Sequence, residues 1–109
     1  MTIEEVRELV RLQIGDAHLV TNDHQINLQQ AIVPPQRISV IDRMVRDGKV
    51  KDKRFDCWHV GQENSRDGYK IIMRDDGSQF GLASIGFPTD EHLILTGWYG
   101  DLMSAFLNM

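Results

Sequence analysis

Apolar residues recur at Ile3, Val6, Leu9, Val10 and Ile14, the three- and four-residue spacing that gathers side chains on one face of a helix. Thr2 stands three residues before Glu5 in a capping-box pattern, and Gly15 follows the last apolar position. The pattern predicts an N-terminal amphipathic helix. A polar connection covers residues 16–25, followed by the apolar-rich run Ile26 to Val33 and the pair Pro34-Pro35. Because proline restricts the residue before it, this pair is expected to stop the preceding element. Arg37 to Val45 carries two patterns: Ile38, Val40 and Ile41 suit a strand, while Ile38, Ile41 and Val45 also fit a helix begun by proline. The strand is the preferred assignment.

The second half of the chain is punctuated by Asp-Gly pairs at Asp47-Gly48, Asp67-Gly68 and Asp76-Gly77, each between runs rich in β-formers. Two-residue hairpin turns with both central residues at positive φ favour this dipeptide. The predicted strands are Arg54 to Gln62, Tyr69 to Arg74, Gln79 to Ser84 and, after Pro88, His92 to Tyr99. In Tyr69 to Arg74 the alternation sends Tyr69, Ile71 and Met73 to one face and Lys70 and Arg74 to the other, so one sheet face is expected to be wet. After Gly100, Asp101 is placed to cap a short helix from Leu102 to Asn108 that is apolar nearly all round and must be buried or cover a partner. The expected architecture is a single α+β domain over residues 1–109. It comprises an antiparallel meander sheet of about four to six strands, an N-terminal amphipathic helix and a short C-terminal helix.

Length agrees with one domain, since 109 residues enclose one core but do not divide into two. The acidic start Met-Thr-Ile-Glu-Glu is unlike a secretory signal, the apolar runs are shorter than a membrane span needs, and the lone Cys57 has no internal disulfide partner. These features point to the cytoplasm and away from membranes. Net charge is −4 and unevenly spread: positions 37 to 54 hold seven Lys or Arg against three Asp, and the remainder holds five against thirteen acids. The acidic remainder repels phosphate backbones, and the basic stretch Arg43, Arg46, Lys49, Lys51, Lys53 and Arg54 has only Phe55 as an aromatic neighbour. A solvated hairpin, with no nucleic-acid partner, is therefore expected.

Chemistry-bearing residues are sparse. Cys57 and His59 share a strand face and His92 begins another strand, so convergence of the three would suit zinc or a Cys-His nucleophile. No C-x-x-C or H-x-x-x-H spacing accompanies them, and a strand cysteine is commonly a buried small hydrophobe. No metal or cofactor is expected. Gly77, Gly81 and Gly86 lie among hairpin strands rather than ahead of a long helix, unlike phosphate-binding loops. Asp75-Asp76 and Asp90-Glu91 fall in predicted turns, where carboxylates are solvated and available to oppose a basic partner. Trp58, Trp98 and Tyr99 are assigned to the core.

The motif order is Ile32-Val-Pro-Pro35, Trp58-His-Val60, Asp67-Gly-Tyr69 with Ile71, Phe80-Gly-Leu-Ala83, then Tyr99-Gly100 and a closing helix ending in Met109. This order covers most of the chain and resembles small uncharacterised bacterial proteins, some of which look like immunity partners of polymorphic toxins. The resemblance implies a non-enzymatic protein-binding module that neutralises a cognate toxin by direct binding. Asp75, Asp76, Asp90 and Glu91 are the expected partner-facing residues. Two alternatives stand beside it: a small metal-dependent enzyme or metal-binding protein using Cys57, His59 and His92, and a homodimer subunit joined through the apolar C-terminal helix.

Overall fold

The computed structural model describes residues 1–63, 68–85 and 92–109. In chain order the elements are α1 (Ile3–Ile14), α2 (Leu28–Ala31), β1 (Ile32–Arg46), β2 (Lys49–Gln62), β3 (Lys70–Arg74), β4 (Phe80–Ile85), β5 (Leu93–Gly100) and α3 (Leu102–Leu107). Helix α1 has the capping box that its sequence predicts: Thr2 Oγ1 accepts from the Glu5 amide, and the Glu5 carboxylate accepts from the Thr2 amide. Helix α3 starts where Asp101 accepts from the Ser104 amide at 2.8 Å.

Consecutive strands pair antiparallel, as the turn signals predict, with Arg37 to Val45 extended within β1. The expected open meander is nevertheless corrected. Strand β1 also pairs in parallel with β5, Val40 beside Leu93 and Ile41 beside Ile94, and this closes a five-stranded mixed barrel. The Pro34-Pro35 pair does not terminate an element either. It lies inside β1, where the register with β2 shifts between Ile32 and Gln36, so the missing N–H groups fall in the irregular part of the ladder.

The turns divide. Asp47 and Gly48 join β1 to β2 with φ of 52° and 72°, both positive as a two-residue hairpin requires. Asp76-Gly77 instead belongs to a longer connection between Arg74 and Phe80, in which the Arg74 amide donates to the Gln79 carbonyl and Asp76 accepts from the Ser78 amide. Asp67 lies outside the described residues.

Closure also changes what the two sheet faces do. Ile71 and Met73 look outward into a core shared with Val6 and Val10 of α1, Leu28 of α2 and Leu102, Ala105 and Phe106 of α3. The face expected to be wet is the barrel interior, where Val40, Cys57, Ile72 and Ala83 are all fully buried. Lys70 and Arg74 flank Ile72 on that inward side, near opposite ends of β3. Two polar contacts tie the helical layer together: Gln13 of α1 accepts from the Leu102 amide at 3.2 Å, and buried Asn22 donates to the Phe106 carbonyl at 3.5 Å. The apolar residues of α3 are thus spent within the chain, apart from exposed Leu107.

Candidate functional site

Following the inward-facing positions toward the free end of the β1–β2 hairpin, the lining changes from apolar to charged. On β1, Ile38 and Val40 are succeeded by Asp42; on β2, Cys57 and Phe55 are succeeded by Lys53, directly opposite Asp42. Arg74 of β3 and Trp98 of β5 complete this end of the barrel. Trp98 enters because Gly81 faces it: a Cβ on Gly81 would lie 2.7 Å from the indole Cε3 and 2.4 Å from the Gly97 carbonyl oxygen. A bulge in the β4–β5 ladder between Leu82 and Ala83 sets the inward phase of Trp98 after that of Leu93 and Leu95.

The result is an open cleft of about 340 Å³ at the barrel mouth. Its aromatic wall is Phe55 and Trp98, with ring centroids 5.8 Å apart and planes tilted by 48°. The Arg74 guanidinium lies 4.4 Å from the Trp98 ring centroid, a cation held against a π face. Around this wall stand four carboxylates, Asp42, Asp56, Asp75 and Asp76. Arg37 pairs with Asp75, lies 4.0 Å from Asp56, and rests 5.2 Å from the Trp58 ring centroid. The Ser78 hydroxyl and amide hold the Asp76 carboxyl below its ordinary range, keeping it ionised at neutral pH. The mouth thus combines four carboxylates and an aromatic wall with the cations Lys53 and Arg74 of its lining and Arg37 beside Asp75.

Asp75 and Asp76 therefore stand together at the cleft, whereas Asp90 and Glu91 lie outside the described residues. Cys57 and His59 both point into the barrel and are buried, but His92 is exposed, its Nε2 3.2 Å from the Arg54 guanidinium. Among the described residues no group of three or more His, Cys, Asp or Glu side chains is placed to hold a metal ion. Burial pushes the Cys57 thiol up to about 12, so it is protonated at neutral pH rather than a thiolate nucleophile. Burial, with Lys70 nearby, lowers the His59 pKa and favours the neutral ring.

Three features of the site escape the sequence reading. Asp42 and Asp56 join the rim, and their signal was available as charges interrupting strands. Trp98 is only partly buried: it packs against the interior cluster and also lines the mouth, while Trp58 is buried under the helices as expected. The basic stretch, read as one patch, is split by the pleat. Arg46, Lys49, Lys51 and Lys53 share the inward-continuing face with Met44 and Asp42; Arg43 opposes Asp52 and Val45 opposes Val50 on the other.

No family model matches the chain, and no curated protein or solved structure matches it.

Proposed function

We propose that this chain is a non-enzymatic, cytoplasmic protein-binding module, most concretely a bacterial immunity protein that neutralises a cognate toxin by direct binding. One observation carries the reading: the open mouth sets the side chains of Asp42, Asp56, Asp75 and Asp76 around the Phe55–Trp98 wall. A toxin that acts on nucleic acid presents cationic side chains at its own active site, and a lysine or arginine from that surface fits this combination of carboxylate and ring. Binding there would cover the toxin's substrate-binding surface without a chemical step. The inert, protonated Cys57 and the separation of His92 from Cys57 and His59 support binding over chemistry.

Co-expression with the toxin domain encoded upstream of the gene tests the proposal. Growth is expected to recover in the presence of this chain. Growth no better than with empty vector would overturn the reading.

A further inference from the structure

Beyond the barrel, β1 and β2 continue as a two-stranded arm paired from Asp42–Lys53 to Arg46–Lys49. Among the described residues, strand β5 pairs with β1 at Val40 and Ile41 alone, and β3 begins its pairing with β2 at Cys57. The arm therefore extends beyond the parts of β1 and β2 that carry those neighbouring strands. Its inward-continuing face carries Arg46, Lys49, Lys51 and Lys53, with alternate residues along the strand about 6.8 Å apart. The same face runs without interruption into the acidic mouth. One continuous strip is thus cationic at the arm's tip, and at its other end four carboxylates outnumber the cations Lys53 and Arg74 of the lining and Arg37 beside Asp75.

A strip with opposite charges at its two ends is complementary to itself when turned end for end. A two-fold axis near the Asp42–Lys53 pair lays each cationic arm over the other copy's carboxylates, and the contact is isologous. We infer that the arm is a dimerisation element and that its occupant surface is the acidic mouth of a second copy of this chain. Lys49 and Lys51 of each copy meet Asp75 and Asp76 of the other, with their ammonium groups drawn also to the Phe55–Trp98 wall. This inference stands independently of the toxin reading, because it needs only the purified chain.

The test is sedimentation velocity at about 100 micromolar protein, a concentration that captures modest affinities. At low salt the wild-type chain is expected at twice its 12.5 kDa mass. The dimer should weaken more than about tenfold on raising salt from about 0.05 to about 0.5 M, since exposed charge pairs are screened. The variant K49E/K51E reverses the arm, and D75K/D76N reverses the mouth while keeping an amide oxygen to accept from Ser78. Each alone should be monomeric, with circular dichroism and melting behaviour like the wild type. Mixed one to one they should form a heterodimer, because the reversed arm then meets the reversed mouth while the unchanged arm of one variant meets the unchanged mouth of the other. A wild-type monomer at low salt overturns the inference, as does a dimer that neither variant disrupts or a mixture that stays monomeric.

Discussion

At the scale of the residue, the barrel interior holds a histidine whose protonation near neutral pH reports on folding. His59 is 8 % exposed, and burial followed by the charge of Lys70 lowers its pKa in the folded state. The unfolded chain, with an ordinary imidazole near about 6.5, takes up the proton first as pH falls. Stability from keeping His59 neutral is therefore fully present above about pH 6.5 and is lost on acidification through that value, at up to about 1.4 kcal/mol per pH unit. Urea unfolding of wild type and His59→Gln from about pH 5 to about pH 8 should show a shallower pH slope in the variant below about pH 6.5. Parallel slopes would mean that the ring is solvated in the folded protein. Cys57 and His59 were legible as neighbours on one strand face because alternation along one strand is local. That His92 is exposed beside Arg54 while they are buried was not legible, since it depends on how the barrel closes.

At the scale of the element, the helices and strands were largely legible because their signals are short-range. The Thr2–Glu5 capping box, the Asp101 cap and the Asp47-Gly48 turn each act within a few residues of themselves. Barrel closure was hidden because it rests on a parallel contact of only two residue pairs between the first strand and the last. The same long-range contact turns the supposedly wet face of β3 inward. Pro34-Pro35 misled because its usual meaning as a stop yields where the ladder is already irregular. The β4–β5 packing also escaped: Gly81 has no marked local motif, yet its missing Cβ is the space that Trp98 occupies. Gly81→Ala should lower stability by about 1–3 kcal/mol, the usual range for forcing extra volume into a packed site. Thermal and urea melts check this, and a variant as stable as the wild type would show that Trp98 does not depend on Gly81.

At the scale of the whole molecule, the uneven charge of the sequence becomes spatial polarity. The basic segment forms the arm and part of the mouth, and Asp75 and Asp76 come round from the β3–β4 connection to meet it. Composition revealed the two signs but not their alignment along one strip, and the turn acids were legible while the aromatic wall between them was not. Phe55 and Trp98 meet only when the barrel closes. Arm and mouth also separate the two proposals experimentally: K49E/K51E should abolish self-association but leave the mouth open to a basic partner, whereas D75K/D76N should abolish both. The most direct measurement is growth during co-expression of the upstream toxin domain with wild type, K49E/K51E or D75K/D76N, each confirmed folded and equally abundant. The proposed use of the mouth predicts growth with the wild type and the arm variant, and arrest with the mouth variant. Protection by D75K/D76N equal to that by the wild type would contradict it.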